Sequence, residues 1–218
     1  MRYYPVFLDI SGKLCVVVGG GEVGERKVSS LLEAGGRVRV VSPELTPHLD
    51  FLARSGKIEH VKKFYEGRYI EGAFLVIAAT SDMEVNRRVY EDARTLPVNV
   101  VDVPELCTFI VPSTIRRGDL TVAISTSGVS PALARSIREE LEELYPPELE
   151  EVLKMLLVVR GAVKSHQWVD ESKRTELLKK LGSKDILDSL RKGGLKGAKM
   201  YILALLNEYG LPAEPHLF

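Results

Sequence analysis

Very little in this sequence could build a disulfide framework, a metal cluster or a membrane anchor. There are two cysteines, Cys15 and Cys107, without the CxxC spacing of a metal site. Both read as reduced thiols of a cytoplasmic protein. His48, His60, His166 and His216 are scattered without ligand spacing, so no metal site is expected. Thirty basic residues cancel thirty acidic ones, which leaves no basic excess to attract nucleic acid or an anionic membrane surface. No stretch approaches the roughly 18 consecutive apolar residues of a membrane span. The opening MRYYPVFLDISGK carries Asp9 inside its most apolar run, unlike a signal peptide. No Ser-His-Asp or Cys-His set stands out, and the single tryptophan, Trp168, reads as a packing residue.

What is present is the composition of an ordinary soluble globular protein, with an apolar fraction of 45% and a charged fraction of 28%. The first two-thirds alternate short apolar runs with helical patterns. LCVVV (14–18), RVRVVS (37–42), IEHVKKF, AFLVIAAT (73–80) and PVNVVDV read as strands. The segments 22–36, 45–56 and 81–96 read as helices, stopped by Gly35-Gly36 and Gly56 or capped by Ser81 or Asp82. Such alternation predicts an α/β fold of the doubly wound, Rossmann type with a parallel sheet. From about residue 113 the pattern changes: Arg116-Arg117 as a turn, a strand at 119–126, and an amphipathic helix at 130–146 capped by Ser130. After Pro146-Pro147 only helical patterns follow, at 148–165, 170–181, 183–192 and 196–209. The expected organisation is a dinucleotide-binding domain over 1–112, a central strand-helix region over 113–146 and a helical domain over 147–218.

Gly19, Gly21 and Gly24 form GxGxxG directly after the first strand and at the start of the first helix. Strand, glycines, helix and second strand fall within the roughly 30 residues that a dinucleotide fold requires. Glycines allow a tight turn and close backbone approach, and the helix N-terminus stabilises a pyrophosphate. The ribose-binding acid expected about 20 residues further on is absent; Ser42-Pro43 stands there, with Glu44 a little late. No arginine directly follows the strand to take a 2′-phosphate, and NAD is expected over NADP.

Ligands on doubly wound sheets sit beyond the carboxyl ends of the strands, where Ser42, Thr80 and Asp102 fall. Asp102, in NVVDVPELCTF, has valines around it and no basic residue within that stretch. It reads either as a cap for the following turn or as a general acid or base, whose pKa apolar neighbours could raise. ISTSGVSPALAR places Ser125, Thr126, Ser127 and Gly128 at a strand-to-helix junction suited to substrate carboxylates or to ordinary capping, with Arg135 further along the helix.

Four blocks, YPVFLDISGKLCVVVGGGEVGERKVSSLLEAG, FLVIAATSDMEVN, NVVDVPELCTFIVPS and AISTSGVSPALAR, together resemble the precorrin-2 dehydrogenase family, which includes the N-terminal region of siroheme synthases. The resemblance covers roughly residues 3–146. It implies NAD-dependent oxidation of precorrin-2 to sirohydrochlorin, often by a homodimer, with a central region for dimerisation and the tetrapyrrole cleft. In some members the same site also inserts ferrous iron. Carried over, the essential aspartate is Asp102. The cofactor contacts are the glycine loop, Glu22, Val23, Pro43 and Glu44, and the cleft segment is Ser125 to Gly128; Thr80 joins the expected cofactor site by its strand-end position alone. Thr126 stands where some relatives have serine. A non-catalytic NAD-sensing module remains the alternative from another class.

Overall fold

The computed structural model describes residues 3–166 and 170–211, so the expectations for Trp168 and His216 lie outside the described residues. The chain divides into two compact units, Met1–Val111 and Pro112–Phe218.

The first unit is a parallel five-stranded sheet in the order β3-β2-β1-β4-β5. The strands are β1 (Leu14–Val18), β2 (Arg37–Val41), β3 (Glu59–Val61), β4 (Leu75–Ala78) and β5 (Val98–Val100). The helices are α1 (Glu22–Glu33), α2 (Pro47–Arg54) and α3 (Met83–Asp92). Because side chains alternate along a strand, the apolar runs supply two cores. Val16, Val18, Val41, Val76 and Val98 join Val89 of α3 and Ala93, its C-cap, in one. Cys15, Val17, Val38, Val40 and Ile77 join Val28 and Leu31 of α1 and Leu49 of α2 in the other. A sheet covered on both faces accepts continuous apolar strands such as LCVVV, which is why that pattern was legible.

The order also places a switch of direction between β1 and β4: the chain runs outward through β2 and β3, then returns to the other side of β1. Register pairs Val17 with Val40 on one side and with Ile77 on the other. In doubly wound sheets the crevice beyond such a switch point receives ligands.

Helix boundaries follow local chemistry. Thr46 caps α2 by accepting from the Leu49 N–H at 3.2 Å. Asp82, one of the two expected caps, accepts from the Glu84 and Val85 amides of α3. Gly35, with φ of 77°, ends the α1 segment in the left-handed region that glycine adopts at low cost.

The second unit opens with an antiparallel hairpin, β6 (Ser113–Arg117) and β7 (Leu120–Ile124). This corrects the expected turn at Arg116-Arg117: both residues pair within β6, and the reversal comes at Gly118, whose φ is 57°. Helices α4 (Pro131–Leu144), α5 (Leu149–Ser165), α6 (Glu171–Leu181) and α7 (Lys184–Glu208) follow. Leu177, Val159, Ile202 and Leu206, all fully buried, anchor a core of their own. Gly194, at φ 60° and ψ −159°, breaks α7 between the two helical patterns seen in the sequence. No helix among the described residues is long and apolar enough to cross a membrane.

Candidate functional site

A cavity of about 810 Å³ opens beyond the carboxyl ends of β1, β2, β4 and β5, entirely within the first unit. That volume lies in the range of small-molecule and cofactor sites. Gly19, Gly21, Glu22 and Val23 line it from the β1-to-α1 turn, Pro43 and Glu44 from the end of β2, Thr80 from the end of β4 and Asp102 from beyond β5. Gly24 stands apart from the lining. It is buried, and a Cβ there would come within 2.3 Å of the Gly19 carbonyl oxygen, so it sets the packing of α1 against the turn.

The glycines divide by task. Gly19 has a φ of 120° and sits so close to the β4 end that a Cβ would lie 2.4 Å from the Ala79 carbonyl oxygen. Gly20 is tighter still, at 2.1 Å from the Glu44 carbonyl oxygen. The GxGxxG pattern passes over Gly20, and only the run of three glycines signals it. A Cβ on Gly21 would meet nothing within 4 Å, so that residue keeps open the face turned toward the cavity. Gly21 is also the N-cap of α1 and has no side chain to satisfy the first-turn amides. An unsatisfied helix start beside a glycine cradle is what a pyrophosphate requires, so these residues fit a nicotinamide dinucleotide.

Neighbouring bonds fix this cradle. The Thr46 amide donates to the Gly20 carbonyl at 2.9 Å. The Thr46 hydroxyl donates to the Glu25 carboxylate of α1. Arg39 is occupied: its Nε lies 2.9 Å from Glu59, and it donates to the Tyr69 carbonyl at 3.0 Å. Behind Thr80 and outside the cavity lining, Asn86 of α3 is buried, a residue that no sequence motif singles out. Its Oδ1 accepts from the Thr80 hydroxyl at 2.7 Å, and its Nδ2 donates to the Thr80 carbonyl at 3.0 Å. The periodicity of α3 gave no hint of it, because an asparagine on an inward position looks like any polar helix residue. Tyr65, also lining the cavity, donates to Asp92 at 2.9 Å, and burial first and that bond second push its phenol pKa up.

Asp102 occupies a turn rather than a strand, two residues past the end of β5, with φ of 62°. Its carboxylate is exposed and makes no hydrogen bond or ion pair within the described residues, so it does not cap the Pro104–Leu106 turn that follows. The valines beside it in sequence point elsewhere; the premise of an aspartate desolvated by apolar neighbours is not met. The basic neighbour missing from its own stretch is Lys27, half-buried one turn beyond Val23 on α1. Burial foremost and then Arg26 hold the Lys27 ammonium below the ordinary lysine pKa, while the attraction of Asp102 acts the other way.

Ser125, Thr126, Ser127 and Gly128 lie in the second unit, in the loop between β7 and α4. Much of their hydrogen bonding is local. The Thr126 hydroxyl accepts from the Ser130 amide at 3.1 Å and donates to the Ser130 carbonyl at 3.0 Å. Ser125 accepts from the Ser127 amide at 2.9 Å, and Ser130 caps α4 through the Leu133 amide. Ser127 and Gly128 both have positive φ, 53° and 84°. Arg135 is exposed and donates to Glu139 at 2.8 Å on its own helix.

A family model described as putative NAD(P)-binding matches residues 6–113, and one described as sirohaem biosynthesis protein central matches residues 117–144. The chain is 46% identical over 176 residues to a siroheme synthase of Methylobacillus flagellatus, covering 80% of this chain and 38% of that protein. It is 49% identical over 148 residues to a siroheme synthase of Thioalkalivibrio sulfidiphilus, covering 67% and 30% respectively. The chain thus spans about a third of the length of these curated relatives. Among solved structures, SirC, a precorrin-2 dehydrogenase, superposes with a TM-score of 0.77 at 26% identity, covering 94% of this chain and all of that one.

Proposed function

The chain belongs to the family of precorrin-2 dehydrogenases and siroheme synthase N-terminal regions, and from that membership we propose that it oxidises precorrin-2 to sirohydrochlorin with NAD, in siroheme biosynthesis. The observation that carries this reading is the carboxylate of Asp102, without a hydrogen bond or ion pair among the described residues, on the wall of the same cavity as the glycine cradle.

The oxidation removes a hydride and a proton from the macrocycle. The nicotinamide, when bound, supplies the hydride acceptor. Asp102 takes the proton onto its carboxylate, which makes no hydrogen bond or ion pair among the described residues. The amides of the α1 first turn and the open face of Gly21 bind the pyrophosphate. Pro43, Glu44 and Thr80 line the remaining length of the cofactor site. The carboxylate of Glu44 disfavours a 2′-phosphate near it by like charge, which supports NAD over NADP. Ser125, Thr126, Ser127 and Gly128 are assigned to the carboxylates of the tetrapyrrole, with the α4 N-terminus beside them. Arg135 joins them by exchanging its exposed pair with Glu139 for a substrate carboxylate.

The test is turnover of precorrin-2 with NAD, followed by the absorbance of sirohydrochlorin, for the parent and Asp102→Ala. A parent that turns over and a variant slowed by about a hundredfold or more, with NAD binding intact, supports the assignment. A parent that binds NAD and makes no sirohydrochlorin removes it. One observation favours a second activity at the same place: an exposed carboxylate with no hydrogen bond or ion pair among the described residues also suits proton removal from pyrrole nitrogens during iron insertion. Insertion of Fe²⁺ or Co²⁺ into sirohydrochlorin, lost in Asp102→Ala, would establish it. A homodimer in the cytoplasm accompanies this reading. The exposed apolar Val129 and Leu133 of the second unit offer such a dimer surface, and sedimentation velocity measures it.

A further inference from the structure

The turn that carries Asp102 is wound around a sulfur atom. A non-glycine residue in the left-handed region is strained, and it persists only where its surroundings over-determine it. Here the surroundings converge on Cys107, which is buried. Its Sγ lies 3.2 Å from the Val100 carbonyl oxygen and 3.2 Å from that of Val103, the residues that begin and end the turn. The Val100 amide donates to the same sulfur at 3.3 Å, and Asn99 Nδ2 donates to it at 3.5 Å. Asn99, buried as well, also donates to the Phe109 carbonyl at 3.0 Å. The turn is closed by the Val103 amide on the Val100 carbonyl at 3.2 Å, and it is moored to the sheet by the Val101 amide on the Ala78 carbonyl at 2.9 Å.

We propose that Cys107 and Asn99 are positioning residues, which hold Asp102 in its left-handed conformation and so keep the carboxylate facing the cavity. This rests on the proposed dehydrogenase reading and adds to it the parts that aim its base. A thiol has one hydrogen, so Cys107 donates to one of the two carbonyls at a time while accepting from both nitrogens. The separations of 3.2 to 3.5 Å fit sulfur, whereas a hydroxyl prefers about 2.7–2.8 Å to an oxygen acceptor. Serine therefore replaces the thiol imperfectly, and valine keeps its bulk while removing every polar link. Burial raises the thiol pKa, which keeps the S–H donor in place at neutral pH.

The experiment compares Cys107→Val, Cys107→Ser and Asn99→Ala with the parent. Backbone amide exchange at Val101 and Val103, the affinity for NAD, and the kcat and KM for precorrin-2 are measured on each. In Cys107→Val the exchange at Val103 accelerates at least tenfold and kcat falls by about ten- to a hundredfold, the scale of a displaced catalytic group. KM and NAD affinity stay within about twofold, because the glycine cradle takes no part in the turn. Cys107→Ser recovers most of kcat, to within about threefold of the parent. Unchanged exchange and unchanged kcat in Cys107→Val overturn the proposal. So does equal loss in the serine and valine variants, since bulk or folding would then be the cause. If Cys107→Val does not fold, Asn99→Ala carries the same comparison with smaller changes in the same direction. A parent without precorrin-2 turnover sinks the dehydrogenase reading alone, and the exchange data still decide whether the sulfur holds the turn.

Discussion

The two units of this chain obtain their order by different means. Around the cavity of the first unit, position is set by backbone against backbone: Gly19 against Ala79, Gly20 against Glu44, Gly24 against Gly19. In the second unit, order comes from side chains, with Leu177, Ile202 and Leu206 closing a helical core. Its glycines are mixed: a Cβ on Gly197 of α7 would lie 2.5 Å from the Ser189 carbonyl oxygen, whereas others have room. A Cβ on Gly161, in the middle of α5, would meet nothing within 4 Å. At these strand ends Gly19, Gly20 and Gly24 have no space for an added atom and Gly21 alone stays open, whereas the exposed face of α5 accepts one. The contrast explains why the candidate cofactor residues come in short, closely spaced motifs.

The sharpest way to break that contrast is to add the same kind of atom in both places. Gly20→Val is expected to cost about 3 kcal/mol or more, because its Cβ would overlap the Glu44 carbonyl. Binding of NAD should be lost with it, as read by titration calorimetry beside thermal unfolding. If Gly20→Val binds NAD normally, backbone contact does not govern the first unit. A smaller effect is expected from Asn86→Leu, which keeps the volume but leaves the Thr80 hydroxyl and backbone without their buried partner. A loss of about 1–3 kcal/mol of stability and weaker NAD binding should appear together. Stability lost with affinity unchanged would detach Asn86 from the site. Gly161→Ala should move the other way, raising stability by about 0.5–1 kcal/mol; a destabilised variant would show that α5 is less open than the geometry indicates.

The smallest effect tests the buried thiols. Burial raises the Cys15 pKa above its ordinary 9.0. The unfolded chain then releases that proton first, so the stability tied to Cys15 is present below pH 9.0 and declines as pH rises beyond it. Cys107 and Tyr65 act in the same direction, and Lys27 opposes them through its lowered pKa. Cys15→Ala should accordingly lose less stability than the parent between pH 8 and 10, in chemical denaturation at the two pH values. An identical loss would mean that Cys15 ionises as easily in the native state as in the unfolded one.

Much of the first unit could be read directly from the residues. LCVVV is β1 residue for residue, and the expected glycine turn lies where a cradle was anticipated. The alternation of strand and helix gave the parallel sheet because burial on both faces leaves an unmistakable apolar run. Ends were less legible. The strand expected to include Asp102 stops at Val100, because the chain turns there, with Asp102 at a φ of 62°, and the bonds that gather on Cys107 join atoms apart in sequence and leave no turn signal. Arg116-Arg117 was misread for a related reason: two adjacent charges resemble a turn, but an exposed hairpin strand tolerates them, and Gly118 does the turning. Asn86 and Lys27 were missed because helical periodicity identifies apolar faces and is silent about which polar residue looks inward.

The positive φ of Asp102 has a consequence for anyone who evolves this chain. Glycine and asparagine accept that backbone geometry more readily than aspartate does, so a screen for heat tolerance would favour them at position 102. Either replacement deletes the negative charge on which the proposed chemistry depends. Endurance and turnover are thus opposing selections at a single codon, and a library sorted for the first must hold that codon fixed to keep the second.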